Sequence, residues 1–192
     1  MSRSSPRAVV LVEGVSDQHA LMALATRRGR DLDAEGVAVV PIGGAHAIGR
    51  HLERFGPLGL DLSLAGLCDA GEERAFARGL ERAGLGTNLS RTDLETLGFF
   101  VCEADLEDEL VRALSVEAVE AIIEAEGEQA RFQTFQKQLA KRELNREEQL
   151  WRFMWNRKIR YAPLLVAALD LDRVPRPLDG VLAHVRRRVL RG

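Results

Sequence analysis

Little in this chain could staple or ligate a fold from outside. Only two of its 192 residues are cysteines, Cys68 and Cys102. Both fall inside apolar runs, which casts them as small buried hydrophobes in a reducing compartment and excludes a disulfide framework. The four histidines show no paired spacing, so a zinc site of the Cys/His kind is excluded too. No stretch of eighteen consecutive apolar residues exists to cross a membrane, and Met1 to Arg7 is polar, without the apolar core of a signal peptide. A cytoplasmic protein is expected. The formal net charge of −2 gives no global attraction to nucleic acid. Lysine is scarce, with 3 against 24 arginines, a bias read as genomic rather than as a binding surface. There is no phosphate-binding P-loop and no serine in a nucleophile elbow. The one tyrosine, Tyr161, is far in sequence from the acids discussed below.

What the chain does have is a repeated design. Ala8-Val9-Val10-Leu11-Val12 reads as a buried strand that ends at Glu13-Gly14, and Ala20, Leu21, Leu24 and Ala25 follow at helical spacing, with Ser16 as the expected N-cap. The pattern returns at 37–42 with a helix to about Phe55, and at 62–68, reaching Asp69, with a helix over 72–83. It returns again at 97–102, reaching Glu103 and Asp105, with a helix over 106–114. Short apolar strands separated by helix-length crossovers predict an α/β fold: a mainly parallel four-stranded sheet flanked by helices, its carboxyl ends at one edge. From residue 115 the strand signal stops, and helices are expected over 116–126, 146–155, 161–171 and 177–190. The expected organisation is an α/β core over 7–114 and a helical extension over 115–192 packed on it.

The acids at strand ends carry the chemistry: Glu13 with Asp17, Asp69 with Glu72 and Glu73, and Glu103, Asp105 and Glu107. Gathered carboxylates raise one another's pKa values unless a cation neutralises them, and an all-oxygen set suits Mg²⁺ or Mn²⁺. Acids also collect at helix N-termini for the macrodipole alone, which accounts for Glu72, Glu73, Asp108 and Glu109. It accounts less well for Glu13 and Asp69, which terminate buried strands directly. Gly43-Gly44-Ala45-His46 reads as a phosphate-facing turn or as a plain strand-to-helix turn. Trp151, Phe153 and Trp155 beside Arg152 and Arg157 read as core packing ahead of base stacking.

Taken in order, these motifs resemble the Toprim domain shared by topoisomerases, primases, small ribonucleases and the overcoming-lysogenization-defect (OLD) nucleases. LVEGVSD (11–17) is similar to the Toprim glutamate motif, and the OLD branch also favours an acid four residues after that Glu. GLCDAGEE (66–73) stands in place of Asp-x-Asp, with Gly71 where the second Asp is usual. ADLEDEL (104–110) resembles the OLD Asp-Leu-Glu segment, and Arg157-Lys158-Ile159-Arg160-Tyr161-Ala162 its late lysine motif.

The resemblance implies an OLD-type endonuclease, a metal-dependent phosphodiesterase that cuts or nicks DNA, ahead of RNA, with two Mg²⁺ or Mn²⁺ ions. It implies that Glu13 and Asp17 hold one ion, that Asp69 bridges, and that Asp105 and Glu107 hold the second. It casts Glu13 and Lys158 as catalytic, Lys158 as a point charge on the scissile phosphate. OLD nucleases carry an ATPase domain, so a stand-alone protein or a separate ATPase subunit is expected. Two alternatives stay open: nucleotidyl transfer, and a non-catalytic module that docks on an ATPase.

Overall fold

The computed structural model describes residues 6–190; Met1 to Ser5 of the polar N-terminal segment and the last two residues of the expected extension lie outside it. Four strands form one sheet: β1 (Ala8–Val12), β2 (Val37–Pro41), β3 (Ser63–Asp69) and β4 (Phe99–Cys102), in the order β2-β1-β3-β4. All neighbours run parallel, with Ala8 opposite Val37 on one side and Ser63 on the other, and Asp69 opposite Cys102. The chain therefore leaves β1 towards one edge and later returns to its other side. That reversal puts a topological switch point between the carboxyl ends of β1 and β3, where open α/β sheets bind ligands.

Every residue of β1 is fully buried, because helices cover both faces of the sheet. Strand periodicity sorts its side chains. Val10 and Val12 join Leu67 and Cys102 under one helical layer, while Val9 and Leu11 join Cys68, Phe99 and Val101 under the other. Helices α2 (Ile48–Phe55), α3 (Glu73–Arg82) and α4 (Arg91–Leu97) supply the second layer through Ile48, Leu52, Phe76, Leu80 and Leu94. The first layer mixes near and distant sequence. To α1 (Val15–Arg27) and α5 (Leu106–Ala113) it adds residues of α6 (Val116–Ala125), α7 (Gln129–Gln136), α9 (Arg146–Met154), α10 (Lys158–Ala168) and α11 (Arg176–Val189). A short α8 (Leu139–Arg142) completes the set. Among the described residues no helix is long and apolar enough to cross a membrane.

The structure corrects several local expectations. Helix α1 starts at Val15 with Gly14, not Ser16, at its cap, because the Asp17 carboxylate reaches back and accepts the Gly14 N–H at 2.8 Å. The fourth strand starts at Phe99 rather than Leu97: Leu97 ends α4, and Gly98 follows in the left-handed region at φ 94°. Helix α4 lies in a stretch assigned no element from sequence, although Ser90 and Asp93 form a capping box in which the Ser90 hydroxyl and the Asp93 carboxylate each accept the other's backbone N–H. Helices α7 and α8 fill a stretch assigned no element from sequence, and α10 begins at Lys158 and runs through Pro163.

Helix α11 approaches the sheet closely at Gly180, where a Cβ would stand 2.3 Å from the Phe100 ring. Phe100 is buried and cannot swing away. Gly180→Ala is therefore expected to lower stability by about 1–3 kcal/mol through overpacking, read as an earlier midpoint in urea. A variant as stable as the parent would show that α11 does not pack on β4 as described.

Candidate functional site

The carboxyl edge of the sheet gathers the acids that the sequence singled out. Glu13 follows β1 by one residue and Asp69 ends β3, so parallel register sets them side by side; Glu13 Oε1 accepts the Asp69 N–H at 2.7 Å. Asp17 lies in the first turn of α1. Asp105 caps α5, accepting the Asp108 N–H at 2.8 Å, and Glu107 lies in the first turn of that helix. Lys158, the first residue of α10, closes the site from the far end of the chain. Its ammonium lies 3.0 Å from Asp105 Oδ2 and 2.8 Å from Glu107 Oε2. Lys158 is thus paired with carboxylates and stands 4.1 Å from the centre of the Trp155 ring.

Electrostatics joins these groups into one network. Burial raises the Glu13 carboxyl above the ordinary range against the Asp69 N–H, and Glu72 and Asp105 add to the rise. Burial, then the Glu107 and Glu13 charges, push Asp17 up to about 7 despite the Gly14 N–H. Burial with Glu13, Asp17 and Asp105 pushes Asp69 up to about 8. Burial also raises Glu107, against the pull of Lys158. For Lys158, burial works against the charge, but Glu107 and Asp105 outweigh it and hold the ammonium above its ordinary pKa. The acids therefore lack positive charge that Lys158 only partly supplies.

The donor chemistry fits a hard divalent cation. All five predicted acids offer oxygen, and Glu107, 2 % exposed, keeps Oε1 buried without a hydrogen-bond partner. As they stand, no three His, Cys, Asp or Glu side chains among the described residues converge into a finished metal cage. Glu13, Asp17 and Asp69 are the acids around the switch point, while Asp105 and Glu107 already share the Lys158 ammonium.

Other sequence candidates separate from this centre. Glu73 pairs with Arg91, and Asp108, Glu109 and Glu103 all pair with Arg112. The glycine turn is a plain one, since the Gly43 and Gly44 N–H groups both turn back to the Glu13 carbonyl at 3.2 Å. Two participants were missed. Trp151 donates its indole N–H to both Asp105 oxygens, at 2.9 and 3.1 Å, across 46 residues of sequence. Glu128, 3 % exposed, accepts from Tyr161 Oη at 2.8 Å and pairs with Arg131 and Arg157. Neither has a local signal, because each depends on how α7, α9 and α10 pack.

An acid whose folded pKa lies above its unfolded value binds more protons when folded. Its charge then costs stability progressively as pH rises from about 4, the unfolded value, towards the folded one near 8. Asp69→Asn removes that cost. In EDTA at pH 8 it is expected to melt a few degrees above the parent, at ~2–4 °C per kcal/mol in a chain of this size, with the advantage vanishing near pH 4. Equal melting temperatures at pH 8 would contradict the repulsion.

The comparisons with known proteins point the same way. Residues 6–69 match the family described as the overcoming lysogenization defect protein-like TOPRIM domain, a span that contains Glu13, Asp17 and Asp69. No curated protein matches the chain. Among solved structures, the C-terminal region of the Xanthomonas campestris pv. campestris OLD protein is 25 % identical with a TM-score of 0.77, covering 96 % of this chain and 94 % of that one. The C-terminal region of the Burkholderia pseudomallei OLD protein, at 22 % identity, shares the fold with a TM-score of 0.74, covering 97 % of this chain and 100 % of that one. Residues 6–69 are thus similar to the OLD-like Toprim domain, and along nearly its whole length the chain shares the fold of the C-terminal region of OLD proteins.

Proposed function

We propose that this protein is a metal-dependent nucleic-acid phosphodiesterase, an OLD-type endonuclease that cuts or nicks DNA. One observation carries the reading: acids at or after the ends of three separate strands, and a lysine from a distant helix, line the carboxyl edge of a sheet whose fold is that of the C-terminal region of OLD proteins. Toprim domains in general bind divalent metals and act on nucleic acid.

In this reading Glu13 and Asp17 would hold one Mg²⁺ or Mn²⁺, Asp105 with Glu107 a second, and Asp69 would add its oxygens between them; bound there, the ions would supply Lewis acidity to a phosphodiester. The chain's own residues do the rest. Trp151 fixes the Asp105 carboxylate through its indole N–H, as an orienting partner behind a ligand. The Asp69 N–H does the same for Glu13. Lys158 brings an ammonium to the edge of the cluster, where it offsets negative charge developing on the phosphate.

A second reading, a non-catalytic module that docks on a separate ATPase, has two observations in its favour. Lys158 already compensates Asp105 and Glu107, and Gly71 leaves the aspartate motif one carboxylate short.

Purified protein with Mn²⁺ is expected to nick supercoiled plasmid, with Mg²⁺ the weaker activator because it demands near-ideal octahedral ligation. Glu13→Gln and Asp69→Asn should each abolish nicking, and Lys158→Ala should slow it by ~10²–10³-fold. Nothing lies within 4 Å of a Cβ at Gly71, so Gly71→Asp adds the missing carboxylate without a clash and should raise activity with Mg²⁺. Wild-type protein inert with Mn²⁺ on plasmid and on single strands of DNA and RNA, with or without an ATPase partner, would overturn the nuclease reading.

A further inference from the structure

Beside the acid cluster, and outside it, lies an open groove of about 680 Å³ whose wall includes Val15, Trp155, Arg157, Lys158, Ile159 and Arg160. Three large apolar side chains that stand exposed on this protein meet here: Val15 at 41 %, Trp155 at 49 % and Ile159 at 55 %. A water-facing tryptophan and isoleucine side by side cost free energy unless something covers them.

Three cations line the groove, each anchored by carboxylates: Lys158 by Asp105 and Glu107, Arg157 by Glu128, and Arg160 by Glu126. The single acid in its lining, Glu128, is buried behind them. Glu128 pairs with Arg157 Nε at 3.3 Å and lies 3.8 Å from Arg160 Nη1, while Tyr161 Oη and Arg131 occupy its remaining lone pairs. Glu128 thus holds Arg157, and Glu126 holds Arg160 through a 2.7 Å bond from Nε, while both guanidiniums stay partly open to water. The basic surface continues past Arg157 into a neighbouring hollow lined by Arg131. At its other end the groove runs into Lys158, whose ammonium touches Asp105 and Glu107 and faces the Trp155 ring.

Exposed aromatic surface interleaved with cations, in a channel that leads to a carboxylate centre, has a specific occupant. We infer that this groove binds an unpaired nucleic-acid strand, with a base stacked on Trp155, Ile159 flanking it, and Arg157 and Arg160 on the phosphates. A duplex offers base edges in its grooves but no free ring face, whereas every unpaired base has a face for Trp155. The inference rests on reading the acids as a phosphodiesterase centre, and it specifies the substrate of that centre as a strand that is single or locally opened.

Binding is measured by fluorescence anisotropy of a short labelled oligonucleotide in EDTA, where no cleavage can occur. The single strand is expected to bind more tightly than the same sequence as a duplex. Trp155→Ala should weaken the single strand roughly 5- to 100-fold, the span found for removing one base–aromatic stack. Arg160→Ala should flatten the slope of log affinity against log salt concentration by about 0.7 for each phosphate that the variant no longer neutralises. Ile159→Glu changes an exposed side chain, so it tests the groove without the risk to folding that Trp155→Ala carries, and it should also weaken binding with the melting temperature unchanged. Wild-type affinity in both the Trp155 and Ile159 variants, or duplex bound as tightly as single strand, overturns the inference. Nicking that persists alongside such a result leaves the nuclease reading standing. Strand binding by a protein inert with Mn²⁺ on plasmid and single strands, with or without an ATPase partner, sinks the nuclease reading and leaves the groove as a strand-binding surface without a phosphodiesterase centre.

Discussion

The structure depends on the electrostatic cost of holding Glu13, Asp17, Asp69, Asp105 and Glu107 at one edge of a buried sheet. Asp105 and Glu107 are buried and Glu13, Asp17 and Asp69 half-buried, and burial with neighbouring charge holds Asp69 near 8 and Asp17 near 7. A fold that only needed strand ends would place glycine, asparagine or serine there. Keeping acids makes sense where positive charge completes the arrangement. Lys158 brings part of that charge from the far end of the chain, and its two ion pairs tie α10 to the start of α5.

The scaffold is built to tolerate this. With β1 fully buried, its parallel register to β3 fixes Glu13 beside Asp69, and the Asp69 N–H pins one Glu13 oxygen. Asp17 is held by the Gly14 N–H, and Asp105 by the Asp108 N–H and the Trp151 indole. Backbone and indole donors orient these carboxylates without neutralising them. The site is therefore rigid in its supports and short of positive charge, which suits a centre that takes up cations.

Much of this was legible in the sequence because strand periodicity and strand-end chemistry are local. The buried run 8–12, the acid after it and the acid ending β3 needed no tertiary knowledge, and parallel topology follows from the helix-length crossovers. Lys158 came from a resemblance rather than from any physical signal, since nothing near it in sequence points to Asp105. The Trp151 bond to Asp105 and the buried Glu128 cluster were illegible for the same reason: each joins residues 46 or 33 positions apart through helices whose mutual packing no local pattern encodes. Helix α4 was different. Its capping box stood in the sequence, but the apolar run from Leu97 into β4 masked the boundary at Gly98.

The central claim is that the charge deficit at the sheet edge is a site for divalent cations. The most direct measurement is a crystal structure grown with Mn²⁺, its ions located by anomalous scattering and their ligands counted. The account predicts manganese ligated by Glu13 and Asp69, with Asp17, Asp105 and Glu107 completing the set and Glu107 Oε1 no longer without a partner. Manganese absent from these acids at millimolar concentration, with Lys158 still bonded to Asp105 and Glu107, would contradict it.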